Sequence, residues 1–475
     1  MLKLEFLRTF SWFALGLTER SFDLKFAIVL IVIAVVLILV GSLAYYFVES
    51  NTATMISYTS VAETSKYTTE YPTNQNTTVP NAIAVDAQGN VWFTLENQSK
   101  LAELNPSSGK IQEFPIPTHV KGGTTTWGIV IDNSRGLVWF TEETTNSVWG
   151  FKISTHTFTR YEVKPANAFP FGIALDRQGD VWFTEFFVNN IGEITPSGNL
   201  TEIPIPLQGN LEATAITTDQ NGTVWFTLPG VNSIGSFFHG QFAFQNLTGK
   251  VQIPVGISVD GQGNIWMTQH GPSFVSEFNP TTHYFKTIST SVPAVFGTSL
   301  PYFTYVDHNG NVWFNEHYGN AIGEFIPSND SLIEYFVPTR IAYAGNISGM
   351  LTSNLSPSGQ PWYTEFFAGK VGTINTAVPL DLHLKLMNYS QPLVLSPNST
   401  TSIQILVSGT DAGQAMLKES VGNFSSSFAY QVSQSQAARI LTIHDNGSKP
   451  GVYFVTITAL TSSLGISQII ELEVK

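Results

Sequence analysis

The sequence predicts an all-β protein: a seven-bladed β-propeller, followed by a C-terminal β-sandwich and preceded by one N-terminal transmembrane helix. Three observations support this prediction: a tryptophan-containing repeat that occurs seven times, a change to short alternating strands after residue 378, and an uncharged apolar run near the N-terminus. We expect a cytoplasmic segment at 1–25, the membrane helix at 26–48, a Ser/Thr-rich stalk at 49–66, the propeller at 67–378 and the sandwich at 379–475.

The repeat defines the propeller. Its first copy reads Asp86-Ala-Gln-Gly-Asn-Val-Trp-Phe-Thr, and a period of about 40–50 residues made of short strands is typical of β-propellers, with one four-stranded sheet per blade. We expect the aspartate to cap the turn and the tryptophan to pack between blades, and we favour these structural roles over metal or quinone binding. The repeated tryptophans lie 41 to 49 residues apart: Trp92, Trp139, Trp182, Trp225, Trp266, Trp313 and Trp362.

Blade seven lacks an outer strand, because the chain passes from Gly372-Thr-Ile-Asn directly into Ala377-Val-Pro. The stretch Tyr67-Thr-Thr-Glu-Tyr-Pro-Thr matches the outer-strand pattern but has no blade of its own. We therefore predict that residues 67–73 pair with blade seven and close the ring, which removes two exposed sheet edges.

Residues 379–475 have a different pattern. Leu380-Asp-Leu-His-Leu-Lys-Leu alternates strictly, and several short strands in fewer than 100 residues predict a β-sandwich. Lys449-Pro-Gly-Val-Tyr-Phe-Val-Thr-Ile-Thr resembles a strand of the immunoglobulin-like (Ig-like) modules on microbial surface proteins. We expect this Ig-like module to contact an envelope or surface protein.

The apolar run 26–48 contains 23 residues and no charge. A helix of this length spans the ~30 Å hydrocarbon core, whereas the apolar region of a signal peptide has about 7–15 residues. The flank before it carries four basic residues and the flank after it none until Lys66, so the positive-inside rule places the N-terminus in the cytoplasm. Everything after residue 48 is then extracytoplasmic, unless the chain is cleaved near Ser42-Leu43-Ala44.

Composition excludes several classes of function. Only 12% of residues are charged, against about 25% in typical soluble domains, and there is no cysteine, which excludes disulfides and thiolate metal sites. The net charge of −13 and the absence of a basic run argue against nucleic-acid binding.

Twelve N-x-S/T sequons follow the apolar run and predict a glycosylated exterior face. Their asparagines are Asn76, Asn97, Asn199, Asn221, Asn246, Asn329, Asn346, Asn354, Asn388, Asn398, Asn423 and Asn446.

The pattern D-x-x-G-x-[VI]-W-F-T-E, continued by I-x-E-[YF]-P-I-P, closely resembles the repeat of the virginiamycin B lyase (streptogramin lyase) family over residues 67–376. This resemblance implies a seven-bladed propeller that opens a macrocyclic lactone by elimination, using Mg²⁺. It also implies a catalytic histidine in a Glu-Pro-His-Gly-Ile motif on an innermost strand, a second histidine one blade earlier, and a metal-holding glutamate at the end of W-F-T-Glu.

No blade of this chain has a histidine at the innermost-strand position. The residues found there are Asn81, Trp127, Phe171, Thr214, Val255 and Tyr302, with Ser348 or Gly349 in the last blade. Four of the W-F-T-Glu carboxylates are present and are candidate metal ligands by this resemblance: Glu142, Glu185, Glu316 and Glu365.

His270 and His317 occupy equivalent places in adjacent blades and are candidates for a replacement catalytic or cation site; the alternative is that they are loop histidines. Trp127, Phe171 and Tyr302 are expected at the top of the channel, where they either stack on a sugar or apolar ligand or simply plug the channel.

Two function classes therefore remain. The missing histidines favour a cell-surface module that binds a ligand or a protein. The alternative is a metal-dependent lyase acting on a lactone or glycan, and the fold alone does not decide between them.

Overall fold

The computed structural model describes residues 66–73, 78–118, 120, 123–290, 298–339, 353–421, 428–434 and 439–475. These residues belong to the compact unit Ser60–Lys475. The segments predicted to be cytoplasmic and membrane-spanning, and the stalk up to residue 65, lie outside the described residues. Within the described ranges, no helix has the length and apolar character needed to span a bilayer.

The described chain is all-β apart from two single-turn 3₁₀ helices, Glu96–Gln98 and Pro229–Val231. Strand β1 (Thr68–Pro72) is followed by repeating four-stranded antiparallel units, which we number sheets 1 to 7.

Sheets 1 to 3 follow one another along the chain. Sheet 1 contains β2 (Pro80–Val85), β3 (Val91–Leu95), β4 (Lys100–Asn105) and β5 (Lys110–Pro115). Sheet 2 contains β6 (Thr126–Asp132), β7 (Leu137–Glu142), β8 (Ser147–Lys152) and β9 (Thr157–Glu162). Sheet 3 contains β10 (Pro170–Leu175), β11 (Val181–Glu185), β12 (Asn190–Ile194) and β13 (Leu200–Pro204).

Sheets 4 to 7 continue the series. Sheet 4 contains β14 (Ile216–Thr218), β15 (Val224–Leu228), β16 (Ser233–Phe238) and β17 (Gln241–Asn246). Sheet 5 contains β18 (Pro254–Val259), β19 (Ile265–Gln269), β20 (Phe274–Phe278) and β21 (Phe285–Ser289). Sheet 6 contains β22 (Pro301–Val306), β23 (Val312–Glu316), β24 (Ala321–Ile326) and β25 (Ser331–Phe336). Sheet 7 contains β26 (Ser353–Leu355), β27 (Pro361–Glu365) and β28 (Lys370–Ile374), with β1 as its fourth strand.

The sheets form a propeller-like ring. The first strand of each sheet packs against the first strand of the next, and the first strand of sheet 7 packs against that of sheet 1. The threonine of the W-F-T motif joins neighbouring sheets: the Thr141 hydroxyl donates to the Phe171 carbonyl at 2.6 Å, and Thr184 donates to the Thr214 carbonyl at 2.6 Å. The same hydroxyl accepts the amide of its own first strand, as from Gly172, so one threonine connects two sheets.

The aspartate and tryptophan of the repeat have the predicted structural roles. In sheet 1, the Asp86 carboxylate accepts the amides of Gln88 and Asn90 at 2.9 Å and the Trp92 indole N–H at 3.0 Å. Sheets 3 to 6 repeat the bond from indole to aspartate at 3.0 to 3.1 Å. Sheet 2 has an extra residue in its turn, so its aspartate binds the turn instead and the buried Trp139 indole has no hydrogen-bond partner in the described residues.

Strand β1 completes sheet 7, as predicted. It pairs antiparallel with β28, from Thr68 opposite Ile374 to Pro72 opposite Lys370. Just before β1, the buried Tyr67 hydroxyl accepts the amide of Asp381 at 2.9 Å. The N-terminal strand is therefore fixed both to the last sheet of the ring and to the chain that leaves it.

The C-terminal region forms two further layers. One layer has the strand order β29 (His383–Met387), β31 (Thr400–Ser408), β34 (Arg439–Asp445) and β33 (Phe428–Gln434). The other contains β30 (Leu393–Leu395), β32 (Met416–Val421), β35 (Gly451–Leu460) and β36 (Leu464–Val474). Strand β36 pairs antiparallel with β25, from Leu464 opposite Tyr335 to Gln468 opposite Ser331, so this layer continues sheet 6. The sequence pattern of the C-terminal strands does not predict this junction.

Candidate functional site

The candidate site lies at one end of the ring, which we call the upper end. There the first strand of each sheet begins and the second strand ends, as in the pairing of Pro170 with Glu185. The residue after each second strand occupies an equivalent place. We call these residues the upper ring: Glu96, Glu143, Phe186, Pro229, His270, His317 and Phe366.

Backbone hydrogen bonds fix the position of the upper ring. In five sheets, the amide of the ring residue donates to the carbonyl of the residue just before the first strand, at 2.8 to 3.1 Å. In sheet 5 this bond runs from His270 to Ile253, and in sheet 6 it runs from His317 to Leu300. The side chains of the upper ring therefore start from equivalent backbone positions, and their identities decide the chemistry of the end.

An aromatic cluster occupies the upper end at sheets 2 and 3. Trp127 stacks on Phe171 with ring centroids 4.6 Å apart and an angle of 21° between the planes. Phe169 and Phe186 continue the cluster, and Phe187 adds a ring that is 43% exposed. Trp127 and Phe171, both predicted as ligand-binding residues, are therefore brought together, with Phe171 buried and Trp127 partly exposed.

Two carboxyl groups of the upper ring lie beside this cluster. The Trp127 indole donates to Glu143 at 2.9 Å. Glu96 accepts the side-chain amide of Asn81 at 2.6 Å and the backbone amide of Thr126 at 3.3 Å. Burial raises the pKa of Glu96 to about 8 in spite of these hydrogen bonds, and it also raises the pKa of Glu143. Both carboxyls therefore hold a proton more readily than an exposed glutamate does.

The third predicted aromatic, Tyr302, lies apart from this cluster and beside the two candidate histidines, and the three rings form a triangle. Its ring centroid is 5.2 Å from that of His270 and 6.1 Å from that of His317, and the two imidazoles are 6.2 Å apart. Burial lowers the pKa of His270 to about 4 and that of His317 to about 3. Both imidazoles are therefore neutral at pH 7.

The four glutamates predicted as metal ligands are directed into their own sheets. All four are fully buried, at 0% exposure: Glu142, Glu185, Glu316 and Glu365. Glu142 accepts the backbone amide of Thr145 at 3.0 Å, and Glu185 accepts the Asn190 side-chain amide at 2.9 Å.

Glu316 faces the outer-strand carboxyl of Glu334, and Glu365 and Glu70 both lie near the Tyr363 hydroxyl. Burial, followed by the charge of Glu334 and a hydrogen bond to it, raises the pKa of Glu316 well above its ordinary value. In sheet 7, burial and then the charges of Glu365 and Glu70 raise the pKa of the Tyr363 hydroxyl. Among the described residues, no group of three His, Asp or Glu side chains is placed to share a metal ion.

A model of the virginiamycin B lyase family matches residues 66–354, which is more than half of the chain. The chain belongs to the virginiamycin B lyase family. Among curated proteins, none matches it.

Solved structures support the fold of this family member. A streptogramin B lyase is 26% identical with a TM-score of 0.57, over 65% of this chain and 97% of that one. A catalytically inactive virginiamycin B lyase from Staphylococcus aureus with quinupristin is 23% identical with a TM-score of 0.57, over 65% of this chain and 98% of that one. The extracellular domain assigned to a hybrid two-component system of B. thetaiotaomicron has a similar fold at 13% identity and a TM-score of 0.50, over 87% of this chain and 60% of that one.

The Mg²⁺ implied by the virginiamycin B lyase family does not fit these glutamates. Magnesium needs oxygen ligands that converge in near-octahedral geometry. Here Glu142 and Glu185 bind donors within their own sheets, and Glu316 is buried against the carboxyl of Glu334. These carboxyl groups therefore do not form a magnesium site.

The predicted glycosylation sites have unequal surroundings. Asn354 is partly buried on the innermost strand of sheet 7, where its side-chain N–H donates to the Ile83 carbonyl at 3.1 Å, so a glycan on this nitrogen conflicts with the fold. Three sites, at 76, 346 and 423, lie outside the described residues. The other eight are exposed: Asn97, Asn199, Asn221, Asn246, Asn329, Asn388, Asn398 and Asn446.

Sequence reasoning missed Glu96 and Glu143. The glutamates predicted from the motif are the last residues of their second strands, whereas the residue that comes next in the chain lies at the upper end. The signal was present in the first two repeats, where Leu95 precedes Glu96 and Glu142 is followed by a second glutamate.

Proposed function

We propose that this protein is a membrane-anchored, extracytoplasmic ligand-binding member of its family. In this proposal a seven-bladed propeller binds a ring-shaped apolar ligand at the upper end without opening it. The observation that supports the proposal is the stack of Trp127 on Phe171, with centroids 4.6 Å apart, at positions where the family resemblance implies a catalytic histidine.

The aromatic cluster suits a flat or saturated ring. Aromatic side chains offer a large apolar area and favour stacked or edge-on partners. The indole of Trp127 already donates a hydrogen bond to Glu143. Its side chain therefore loses little conformational entropy when a ligand binds. The neighbouring Glu96 and Glu143 supply carboxyl groups that can hydrogen-bond a polar group of the ligand.

Elimination is poorly supported at this end. It requires a base whose pKa lies near the working pH. The described innermost-strand positions carry no histidine, and the imidazoles of His270 and His317 have pKa values lowered to about 4 and about 3. At neutral pH such groups bind a proton too weakly to be efficient bases.

The course of the chain is compatible with the proposed anchor. Strand β1 begins at Thr68, opposite Ile374, and third strands such as β28 run away from the upper end. The chain therefore enters the ring at the lower end, opposite the aromatic cluster. In this proposal the anchor at 26–48 precedes the ring in the chain, and the C-terminal layers form an Ig-like module available to a surface partner.

The test uses quinupristin as a ring-shaped probe. We expect the protein to bind it in a calorimetric titration and to leave it cyclic, since an elimination product would separate by chromatography as a ring-opened isomer of the same mass. Trp127→Ala should weaken binding about tenfold or more, and Trp127→Phe, which keeps an aromatic ring, should weaken it less.

Phe238→Ala is the matched control, because Phe238 is an exposed phenylalanine (42%) at the lower end. Equal affinity of the wild type and Trp127→Ala for quinupristin would show that the aromatic cluster does not bind the ligand. A ring-opened product would show that the protein is a lyase and would contradict binding without ring opening.

A further inference from the structure

We propose that His270 and His317 together bind one imidazole-preferring transition-metal ion, such as Cu²⁺, at the upper end between sheets 5 and 6. This site is independent of the ligand proposed for Trp127 and Phe171, because it lies in other sheets. It also differs from the Mg²⁺ site implied by the family, since no carboxylate belongs to it.

Two nitrogen atoms without partners carry the proposal. His270 Nε2 and His317 Nδ1 are buried, and neither has a hydrogen-bond partner among the described residues. Leaving a buried polar atom unsatisfied costs stability, so native structures usually give such atoms a partner. Two such atoms on neighbouring, equivalent residues indicate a partner that they share.

The distance between the rings fits a shared ion. Metal–imidazole bonds are about 2.0–2.1 Å long, so two rings bound to one ion have centroids no more than roughly 6.4 Å apart. The observed centroid distance is 6.2 Å, with 34° between the planes. The backbone amides of both histidines are fixed to the preceding loops, at 3.1 Å for His270 and 3.0 Å for His317, which holds the pair in place before any ion arrives.

The chemistry of the pair selects the kind of ion. A metal binds the neutral form of imidazole, and burial keeps both histidines neutral. Neutral imidazole suits copper, nickel and zinc, whereas magnesium and calcium prefer oxygen ligands. The carboxyl adjacent in sequence to His317, Glu316, is fully buried and lies against Glu334. Two protein ligands also leave coordination positions open for water or another small ligand.

The test is a Cu²⁺ titration of the full chain in detergent, followed by electron paramagnetic resonance and calorimetry. We expect one Cu²⁺ ion to bind tightly to each chain. Its electron paramagnetic resonance spectrum should show two nitrogen ligands. His270→Ala and His317→Ala should each weaken this binding at least about tenfold and lose the rise in melting temperature that copper produces.

His308→Ala is the matched control, because His308 is an exposed histidine in the lower turn of sheet 6. It should bind Cu²⁺ as the wild type does. Metal-free circular dichroism confirms that each variant is folded, and His317→Gln provides a second variant close in size to histidine. Wild-type affinity in both alanine variants, or a spectrum with a single nitrogen ligand, would overturn the proposal.

Discussion

Sheets 6 and 7 contain the same pair of glutamates but stabilise it in different ways. Each sheet has one glutamate at the end of its second strand and one on its outer strand. In sheet 7, Lys370 lies opposite Glu365 on the third strand, and its ammonium group contacts Glu70 at 2.5 Å. In sheet 6, the corresponding residue is Ala321, which has no group to offer.

The missing cation explains the state of the carboxyls in sheet 6. Glu316 and Glu334 are both fully buried, and each has the other as a neighbour. Two buried carboxylates close together repel, so the pair retains a proton, and the pKa of Glu316 rises well above its ordinary value. In sheet 7 a cation on the third strand therefore contacts one glutamate of the pair, whereas in sheet 6 the pair retains a proton.

The largest effect is expected from removing the cation of sheet 7. Lys370→Met keeps the apolar stem but leaves Glu70 and Glu365 without a counter-charge. Removing one member of a largely buried ion pair leaves the other charge buried and unpaired. We therefore expect a loss of about 3 kcal/mol in the free energy of unfolding, measured by urea denaturation.

Lys100→Met is the matched control. Lys100 holds the equivalent place in sheet 1 and contacts Glu113 at 2.6 Å, but it faces Leu95 on the second strand instead of a glutamate. Lys100 therefore balances the charge of one carboxylate. Lys100→Met should lower the free energy of unfolding by less than Lys370→Met does. Equal losses in the two variants would contradict the role assigned to the pair in sheet 7.

The next effect concerns pH. Burial raises the pKa of Glu96 and Glu185 to about 8 and that of Glu277 and Glu324 to about 7, in addition to that of Glu316. The folded protein therefore binds these protons more tightly than the unfolded chain. Their stabilisation is complete below the unfolded pKa, near 4.5, and is lost as the pH rises through the folded values.

We therefore expect a higher melting temperature at pH 6 than at pH 8, with a difference of about 2 kcal/mol in unfolding free energy. The lowered pKa values of His270 and His317 oppose this trend near and below about pH 6, because the unfolded chain then takes up protons that the folded chain does not bind. Glu316→Gln, in which an amide donates to Glu334 without a titrating proton, should flatten the slope between pH 6 and 8. A wild-type melting temperature that rises towards pH 8 would contradict this account.

The smallest effect is expected in sheet 3, where a neutral donor replaces the cation. Asn190 donates to Glu185 at 2.9 Å, and Asn190→Ala would give this sheet the arrangement of sheet 6. We expect a loss of about 1 kcal/mol at pH 8 and a smaller loss at pH 5, where the carboxyl is protonated, measured by denaturation at both pH values. An equal loss at both pH values would assign Asn190 a packing role instead.

The sequence was sufficient to predict the ring and its closure. In sheets 1 to 6 the repeat carries one aspartate, one turn glycine and one tryptophan, and the bond from the indole to the aspartate lies within one sheet, as Asp86 and Trp92 show. The outer-strand pattern at residues 67–73 also lacked a sheet of its own, so its pairing with β28 followed by elimination. The adjacency of His270 and His317 followed because equivalent residues of adjacent repeats are neighbours in a ring.

The glutamates and the C-terminal junction could not be predicted in this way. Glu316 and Glu365 follow the same motif, but their chemistry depends on the residues across the sheet, Ala321 and Lys370, which the motif does not include. The pairing of β25 with β36 joins segments more than 100 residues apart, and local alternation of apolar and polar residues gives the face of a strand but not its partner.

The junction of β25 with β36 has a consequence for truncated forms of the chain. Every residue in the outer strands of sheets 2 and 3 is at least partly accessible to solvent, whereas all six residues of β25 are buried. Without β36, β25 would become an unpaired, largely apolar sheet edge, which is a template for self-association. A chain that ends before residue 379 should therefore aggregate through β25. In the full chain, β36 of the C-terminal layers covers this edge and should keep the protein soluble.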